Sequence, residues 1–307
     1  MPGALTGKVV AVTGASGFIG ARLVSRLAAE ACTIIRIDRP ADVIERPVWD
    51  RAVDADVIIH LAAQTSAAVA NDDPARDFQA NVMPMRHLIA ACRDRHRTPV
   101  VLFAGTVTEA GVPSQLPVNE DAPDDPRTIY DRHKLMAERE LKAAASDGHV
   151  RGATLRLANV YGPGAHGRRA DRDILNRMIA AAVAGETLPV HGTGEQIRDY
   201  VFVDDVVDAF IAAAVHGDRI NGRHFVIGTG RGISIRGAFE LIAERVERST
   251  GRRVPVTTIA PPAPASAIAQ RHFIADPARF SRATGWHPKT TLPEGIDRTI
   301  EALRCAS

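Results

Sequence analysis

A glycine-spaced turn, Gly14-Ala15-Ser16-Gly17-Phe18-Ile19-Gly20, joins a β-branched run to a helical stripe near the start of the chain. No other feature restricts the fold so much. Lys8-Val9-Val10-Ala11-Val12-Thr13 is short, apolar and bounded by glycine, so it reads as a buried strand. Leu23, Val24 and Leu27 then recur at helical spacing between Ala21 and Ala29. Glycines at such a junction allow a tight turn, close backbone approach to a pyrophosphate and close packing of helix on strand. The next β-branched run, Thr33 to Ile37, ends at Asp38. A carboxylate there is placed for a ribose 2′-hydroxyl and repels a 2′-phosphate. The pattern points to NAD rather than NADP. The spacing departs from the common G-x-G-x-x-G, and Arg39 sits beside the acid.

The same grammar continues. Val57 to Leu61, Val100 to Phe103 and Ala153 to Leu157 read as strands. Phe78, Val82, Met85, Ile89 and Cys92 form one helical stripe, read as a core face, and Leu135, Met136 and Leu141 extend a helix begun at Tyr130. Continuous apolar strands between amphipathic helices indicate a parallel sheet covered on both faces. The expected fold is therefore α/β, a doubly wound parallel sheet of Rossmann type. After Tyr161 the pattern changes. Gly162-Pro163-Gly164 opens a polar loop, a helix runs roughly from Asp173 to Ala184, and short strands follow at Tyr200 to Val203 and His224 to Ile227. Pro261-Pro262-Ala263-Pro264 reads as a loop or linker. This predicts a smaller C-terminal α/β substrate domain. Residues 1–160, with a returning segment at roughly 204–230, are assigned to the dinucleotide domain, and 161–203 with 231–307 to the substrate domain.

Composition excludes several partners. A chain of 307 residues buries a sizeable core. A net charge of +2 with scattered basic residues gives no case for nucleic acid or a membrane surface. Cys32, Cys92 and Cys305 are far apart with no CxxC pair, which argues against disulfides or a metal site and fits a reducing cytoplasm. The first residues do not read as a signal peptide, and no apolar run approaches the ~18 residues of a membrane span.

Tyr130 and Lys134 carry the chemistry. Residues four apart lie on one helix face, one turn from each other. A nearby ammonium favours phenolate and lowers a tyrosine pKa from its usual ~10. The pair therefore makes an acceptor for a hydroxyl proton.

In this order, these motifs resemble the extended short-chain dehydrogenase/reductase family, the NAD-dependent sugar-nucleotide epimerases and dehydratases. Thr13-Gly14 to Gly20 is similar to its TGxxGxxG. Asp56-Val57-Ile58-Ile59-His60-Leu61-Ala62-Ala63 is similar to D-x-V-x-H-L-A-A, Tyr130 with Lys134 to YxxxK followed by Glu138, and Arg156 to Pro163 to R-x-x-N-x-Y-G-P. Gly192 to Val206 matches the second-domain signature, and Gly285-Trp286-His287-Pro288 the late G-W-x-P. The resemblance implies that Gly14, Ser16, Gly17, Phe18, Ile19, Gly20, Asp38, Arg39, Asp42, Val43, Leu61, Ala62, Ala63, Asn81, Tyr130 and Lys134 bind the cofactor. It implies Thr106 as a third catalytic residue passing the proton with Tyr130, with Thr108 as its backup, and Thr106, Thr108, Tyr130, Asn159, Arg198 and Arg271 at a nucleotide-sugar substrate. It also implies a homodimer, built on the Tyr130 helix and the helix near Asn81.

Several positions depart from that family. Val107 and Thr108 stand where its dehydratases carry an Asp-Glu pair, which argues against eliminating water. Ala110 replaces the usual Tyr, and His133 replaces a small residue and reads as a surface side chain. Asp173 stands at a phosphate-binding Asn position, Ser266 near an expected Arg, and Val226 at a late Asn. The reading that follows is an epimerase acting at C4 of a nucleotide sugar through a 4-keto intermediate. The alternatives are a 4-keto-sugar reductase using the same residues and a non-catalytic dinucleotide-binding protein.

Overall fold

The structure is a computed structural model and describes residues 3–38, 43–164, 174–260 and 270–305. Its main sheet contains β1 (Val9–Thr13), β2 (Thr33–Ile37), β3 (Val57–His60), β4 (Val100–Thr106), β5 (Arg151–Leu157) and β9 (Arg223–Ile227), in the order β2-β1-β3-β4-β5-β9. Every pairing within it is parallel. Successive strand residues point to opposite faces. Val10 and Val12 of β1 accordingly join one core, with Leu102, Leu155, Leu23, Leu27 and Phe210. Ala11 joins the other, with Ile58, Phe103, Trp49, Met85 and Leu141. Both faces are buried, as the continuous apolar runs require.

The chain reverses its direction of travel across the sheet between β1 and β3. In open α/β sheets the crevice at the carboxyl ends of such strands is where ligands bind. The glycine turn follows β1 and Leu61-Ala62 follows β3, so both line this crevice.

The smaller part begins one residue after β5. β6 (Asn159–Tyr161) leaves the main sheet and pairs in parallel with β8 (Ile197–Phe202), which also carries the antiparallel β10 (Gly232–Ser234). β7 (Leu188–His191) pairs in parallel with β11 (Val256–Ile259). Tyr161, Phe202, Phe239, Ile242 and Ile296 form a third core here. Helix Val203–Val215 and β9 return to the main body.

Three elements differ from the sequence expectation. The stripe from Phe78 to Cys92 is divided between helices Pro74–Asn81 and Met83–Asp94, with Val82 between them. Pro84 has no N–H to donate and therefore opens a new helix rather than continuing the old one. The strand expected to end at Val203 ends at Phe202, and Val203 already starts a helix whose first turn holds Asp204 and Asp205, charges that suit a helix N-terminus. The strand at β7 was unforeseen because Pro189 interrupts its pattern; proline is tolerated on an edge strand, and this sheet has only two strands. No helix among the described residues is long and apolar enough to cross a membrane.

Candidate active site

The glycine turn is a cradle built by backbone. Gly14 has φ +66, and a Cβ on it would lie 3.0 Å from the Ala62 nitrogen. A Cβ on Gly20 would lie 2.0 Å from the Gly14 carbonyl oxygen, a distance no side chain tolerates. Helix Phe18–Leu27 starts at Gly17 with no side-chain cap and no acid in its first turn. Its N-terminal amides are thus open to an anion. Asp38 Oδ1 accepts the Ser16 N–H at 2.6 Å, which fixes the acid against the loop. Thr13 Oγ1 accepts both the Leu61 and Ala62 N–H groups at 3.1 Å. With both lone pairs used, the Thr13 hydroxyl donates to His60 Nδ1, 2.7 Å away. His60 is neutral, as burial pushes its pKa down to about 3.

Gly14, Ser16, Gly17, Gly20, Asp38, Leu61 and Ala62 thus meet at one crevice, with Ala63 next in the chain. A pyrophosphate on open amides and an acid at the neighbouring strand end fit a dinucleotide. Phe18 packs against Gly164, where an added Cβ would come within 2.5 Å of its ring. The side chain of Ile19 packs against the first core, and Val43 against the second, with its carbonyl accepting Trp49 Nε1 at 2.8 Å. Arg39 and Asp42 lie outside the described residues. Asn81 is buried, and its amide nitrogen is committed to Gln64 O and Asp77 Oδ1, both at 2.9 Å. It braces the loop after β3.

Thr106 is the last residue of β4 and caps a short 3₁₀ turn, Val107–Ala110. Tyr130 lies half-buried in the first turn of helix Ile129–Ser146, which Thr128 and Asp131 cap reciprocally at 3.1 and 3.2 Å. Thr108 ties the two elements together. Its hydroxyl donates to Asp131 Oδ1 and therefore accepts from the Thr106 hydroxyl at 3.0 Å. Thr108, expected at the substrate, has its hydroxyl engaged on both sides. Thr106 Oγ1 also accepts the Thr108 N–H at 3.3 Å, and a second lone pair remains for a ligand.

Lys134 is 2% exposed and holds its ammonium 4.0 Å from the centre of the Phe103 ring. Burial lowers its pKa to about 8, opposed by Glu109, Asp77 and Glu138. His133, read from sequence as a surface residue, is instead tucked in with its Nδ1 2.7 Å from buried Asp77. Behind Thr106, Arg156 bonds Glu138 at 2.6 and 2.9 Å and Asp124 at 2.7 Å, and lies 3.0 Å from Glu109. Burial opposes charge on Glu138, but Arg156 overcomes it and holds this carboxylate down at about 2.

Across the crevice stand the second-part residues. Asn159 Nδ2 donates to Asp199 O at 3.1 Å, and Arg198 Nη1 donates to the Ile197 and Arg271 carbonyls. Arg271 has its Nε and Nη1 buried with no hydrogen-bond partner among the described residues. Burial and the neighbouring Arg198 push its pKa down to about 10, while Asp131 opposes the shift. The Arg198 and Arg271 side chains therefore lie close together near Asp131, in the first turn of the Tyr130 helix, and Arg271 Nε and Nη1 have no acceptor among the described residues. Asp173 and Ser266 lie outside the described residues.

Sequence reasoning passed over Asp131, Glu109 and Asp124. A signal existed for two of them. Thr106-x-x-Glu109 and Thr128-x-x-Asp131 both have the spacing of a capping box.

Residues 10–228 match the NAD dependent epimerase/dehydratase family. A UDP-glucose 4-epimerase of Mycolicibacterium smegmatis is 33% identical, over 95% of this chain and 97% of that protein. A GDP-6-deoxy-D-mannose reductase of Pseudomonas aeruginosa is 29% identical, over 93% of each chain. Among solved structures, the UDP-glucose 4-epimerase of Thermotoga maritima with UDP-glucose superposes with a TM-score of 0.86 at 27% identity, covering 97% of this chain and 99% of that one. The chain belongs to the NAD dependent epimerase/dehydratase family.

Proposed function

We propose that this family member is a nucleotide-sugar epimerase that uses bound NAD to invert C4 through a transient 4-keto sugar. The observation that carries the reading is Arg271, whose buried Nε and Nη1 have no hydrogen-bond partner among the described residues and stand beside Arg198. Guanidinium groups bind phosphates as bidentate donors, and two adjacent cations gain most from a doubly charged ligand such as a diphosphate. An anion there would set the sugar beyond it against Thr106 and Tyr130.

Gly14, Ser16, Gly17, Gly20 and Asp38 would hold the NAD pyrophosphate and ribose, and Lys134 the nicotinamide ribose. When bound, NAD supplies a hydride acceptor that gives the hydride back, so no net redox change results. Tyr130 takes the proton of the C4 hydroxyl and returns it after the keto sugar has presented its other face. Lys134 favours the phenolate of Tyr130. The Thr106 hydroxyl, whose own proton is given to Thr108, offers its remaining lone pair to a neighbouring sugar hydroxyl and so positions the reacting carbon for Tyr130. Val107 and Thr108 offer no carboxyl for loss of water. The chain is further read as a homodimer; Met136, 38% exposed on the catalytic helix, is a contact candidate, and sedimentation checks it.

The test is to supply UDP-glucose, UDP-galactose and related sugar nucleotides and follow the products. Interconversion without added reductant supports the reading. Consumption of external NADH or NADPH with a keto sugar, and no epimerisation, replaces it with the reductase reading that the Pseudomonas relative favours.

A further inference from the structure

Glu109 is a carboxyl with no solvent exposure, in the turn directly after Thr106. Its Oε1 accepts the Thr106 N–H at 2.9 Å. Its Oε2 lies 3.0 Å from Arg156 Nε, but that N–H is directed at Glu138 Oε2, 2.9 Å away. Arg156 Nη2 serves Asp124 and Glu138 instead. Glu109 Oε2 is thus buried with no hydrogen bond from the described residues. A carboxyl so placed resists ionisation. The charged groups packed around it are Lys134 and Glu138 from the catalytic helix and Arg156 from β5, with Asp77 and neutral His60 facing Lys134.

Burial, and then Glu138, push Glu109 up to about 8, while burial brings Lys134 down to about 8. Two such groups titrate as a unit. Once Glu109 has lost its proton, the anion holds the Lys134 ammonium to higher pH. A neutral side chain at this position would withdraw that support.

We infer that Glu109 is a positioning residue of the acid–base machinery: its buried carboxyl, anchored on the Thr106 amide beside Arg156, governs the protonation of Lys134 and through it the ionisation of Tyr130. This rests on Tyr130 and Lys134 being the acid–base pair proposed above.

Glu109→Gln keeps the shape and the acceptor for the Thr106 N–H but carries no charge, whereas Glu109→Asp keeps the charge. Two readouts are followed, kcat/KM against pH and the Tm of the chain without added cofactor against pH. In Glu109→Gln the alkaline limb of kcat/KM moves to lower pH by about one unit, a tenfold loss at fixed pH on that limb, and Glu109→Asp restores it. The decline of Tm on going from about pH 6.5 to about pH 8, expected for a buried acid once the buried histidines have ceased to titrate, disappears in Glu109→Gln. Lys134→Met is the independent arm: without the cation, that decline extends to higher pH. A wild-type pH profile and Tm slope in Glu109→Gln, or an unchanged slope in Lys134→Met, overturns the inference and leaves Glu109 as a cap. Tyr130→Phe is run alongside. If it is inactive while Glu109→Gln behaves as wild type, this inference alone fails; if it is fully active, the underlying acid–base reading fails.

Discussion

The Thr108 hydroxyl donates to the Asp131 carboxylate. This one bond joins the end of β4, which carries Thr106, to the helix that carries Tyr130 and Lys134. Asp131 also accepts the Thr128 N–H at 3.2 Å, so it fixes the first turn of that helix and the strand end at once. Thr108→Val removes the donor to Asp131 and the acceptor for Thr106. Leaving buried polar groups unmatched costs about 1–3 kcal/mol. Loss of both Tm and kcat is expected, with NAD affinity unchanged, and melting with cofactor titration checks it.

Replacing Tyr130 by Phe removes one hydroxyl. Positioned general acid–base catalysis is worth about 10²–10⁴-fold, and a fall in kcat of that order is expected. Nucleotide-sugar affinity, measured by calorimetry, should stay within a few-fold.

Arg271→Met gives a test with opposite signs. Arg271 Nε and Nη1 are buried with no acceptor among the described residues, and burying such donors on a cation is unfavourable, so the ligand-free chain should melt higher. A charge-assisted hydrogen bond contributes about 1.5–3 kcal/mol, so a nucleotide diphosphate should bind about 10- to 100-fold more weakly. Melting curves with and without UDP would show both effects.

The acid side of the stability profile follows from buried histidines. Burial pushes His60 to about 3 and His224 to about 4. Unfolding lets both take up protons from their ordinary value of ~6.5 downwards. Their contribution is therefore complete above that value and lost as pH falls towards 4, by up to about 1.4 kcal/mol per unit for each group. Glu138, held near 2, adds further loss once the pH drops below the 4.5 of an ordinary glutamate. Glu109 works in the other direction, since its raised pKa contributes stability at low pH that is lost as pH climbs to about 8. Melts from acid to alkaline pH should show the two branches, and His224→Gln should weaken the acid one.

Gly20→Ala sets a Cβ 2.0 Å from the Gly14 carbonyl oxygen. The loop must shift, and NAD affinity should fall by at least about tenfold, or 1.4 kcal/mol. Fluorescence titration with NADH checks this.

What the sequence reveals follows from the range of each interaction. β1, β3 and β4 are nearly continuous apolar runs with a local signature, and the glycine turn and Asp38 lie within one strand-helix-strand unit. The pairing of β6 with β8 joins Asn159 to Tyr200, and β7 with β11 joins Leu188 to Val256. Such short, distant pairings leave almost no local pattern. The Arg156 cluster is hidden for the same reason: Glu109, Asp124 and Glu138 come from three separate segments. The Thr106–Glu109 and Thr128–Asp131 boxes were legible, yet nothing local reveals that Asp131 also reaches Thr108.

The most direct test of the central claim uses UDP-glucose carrying deuterium at C4. Reversible oxidation at that carbon within one site predicts UDP-galactose with the deuterium still on C4 and no NADH released. Galactose-configured product without the label, or net accumulation of reduced cofactor, would contradict it.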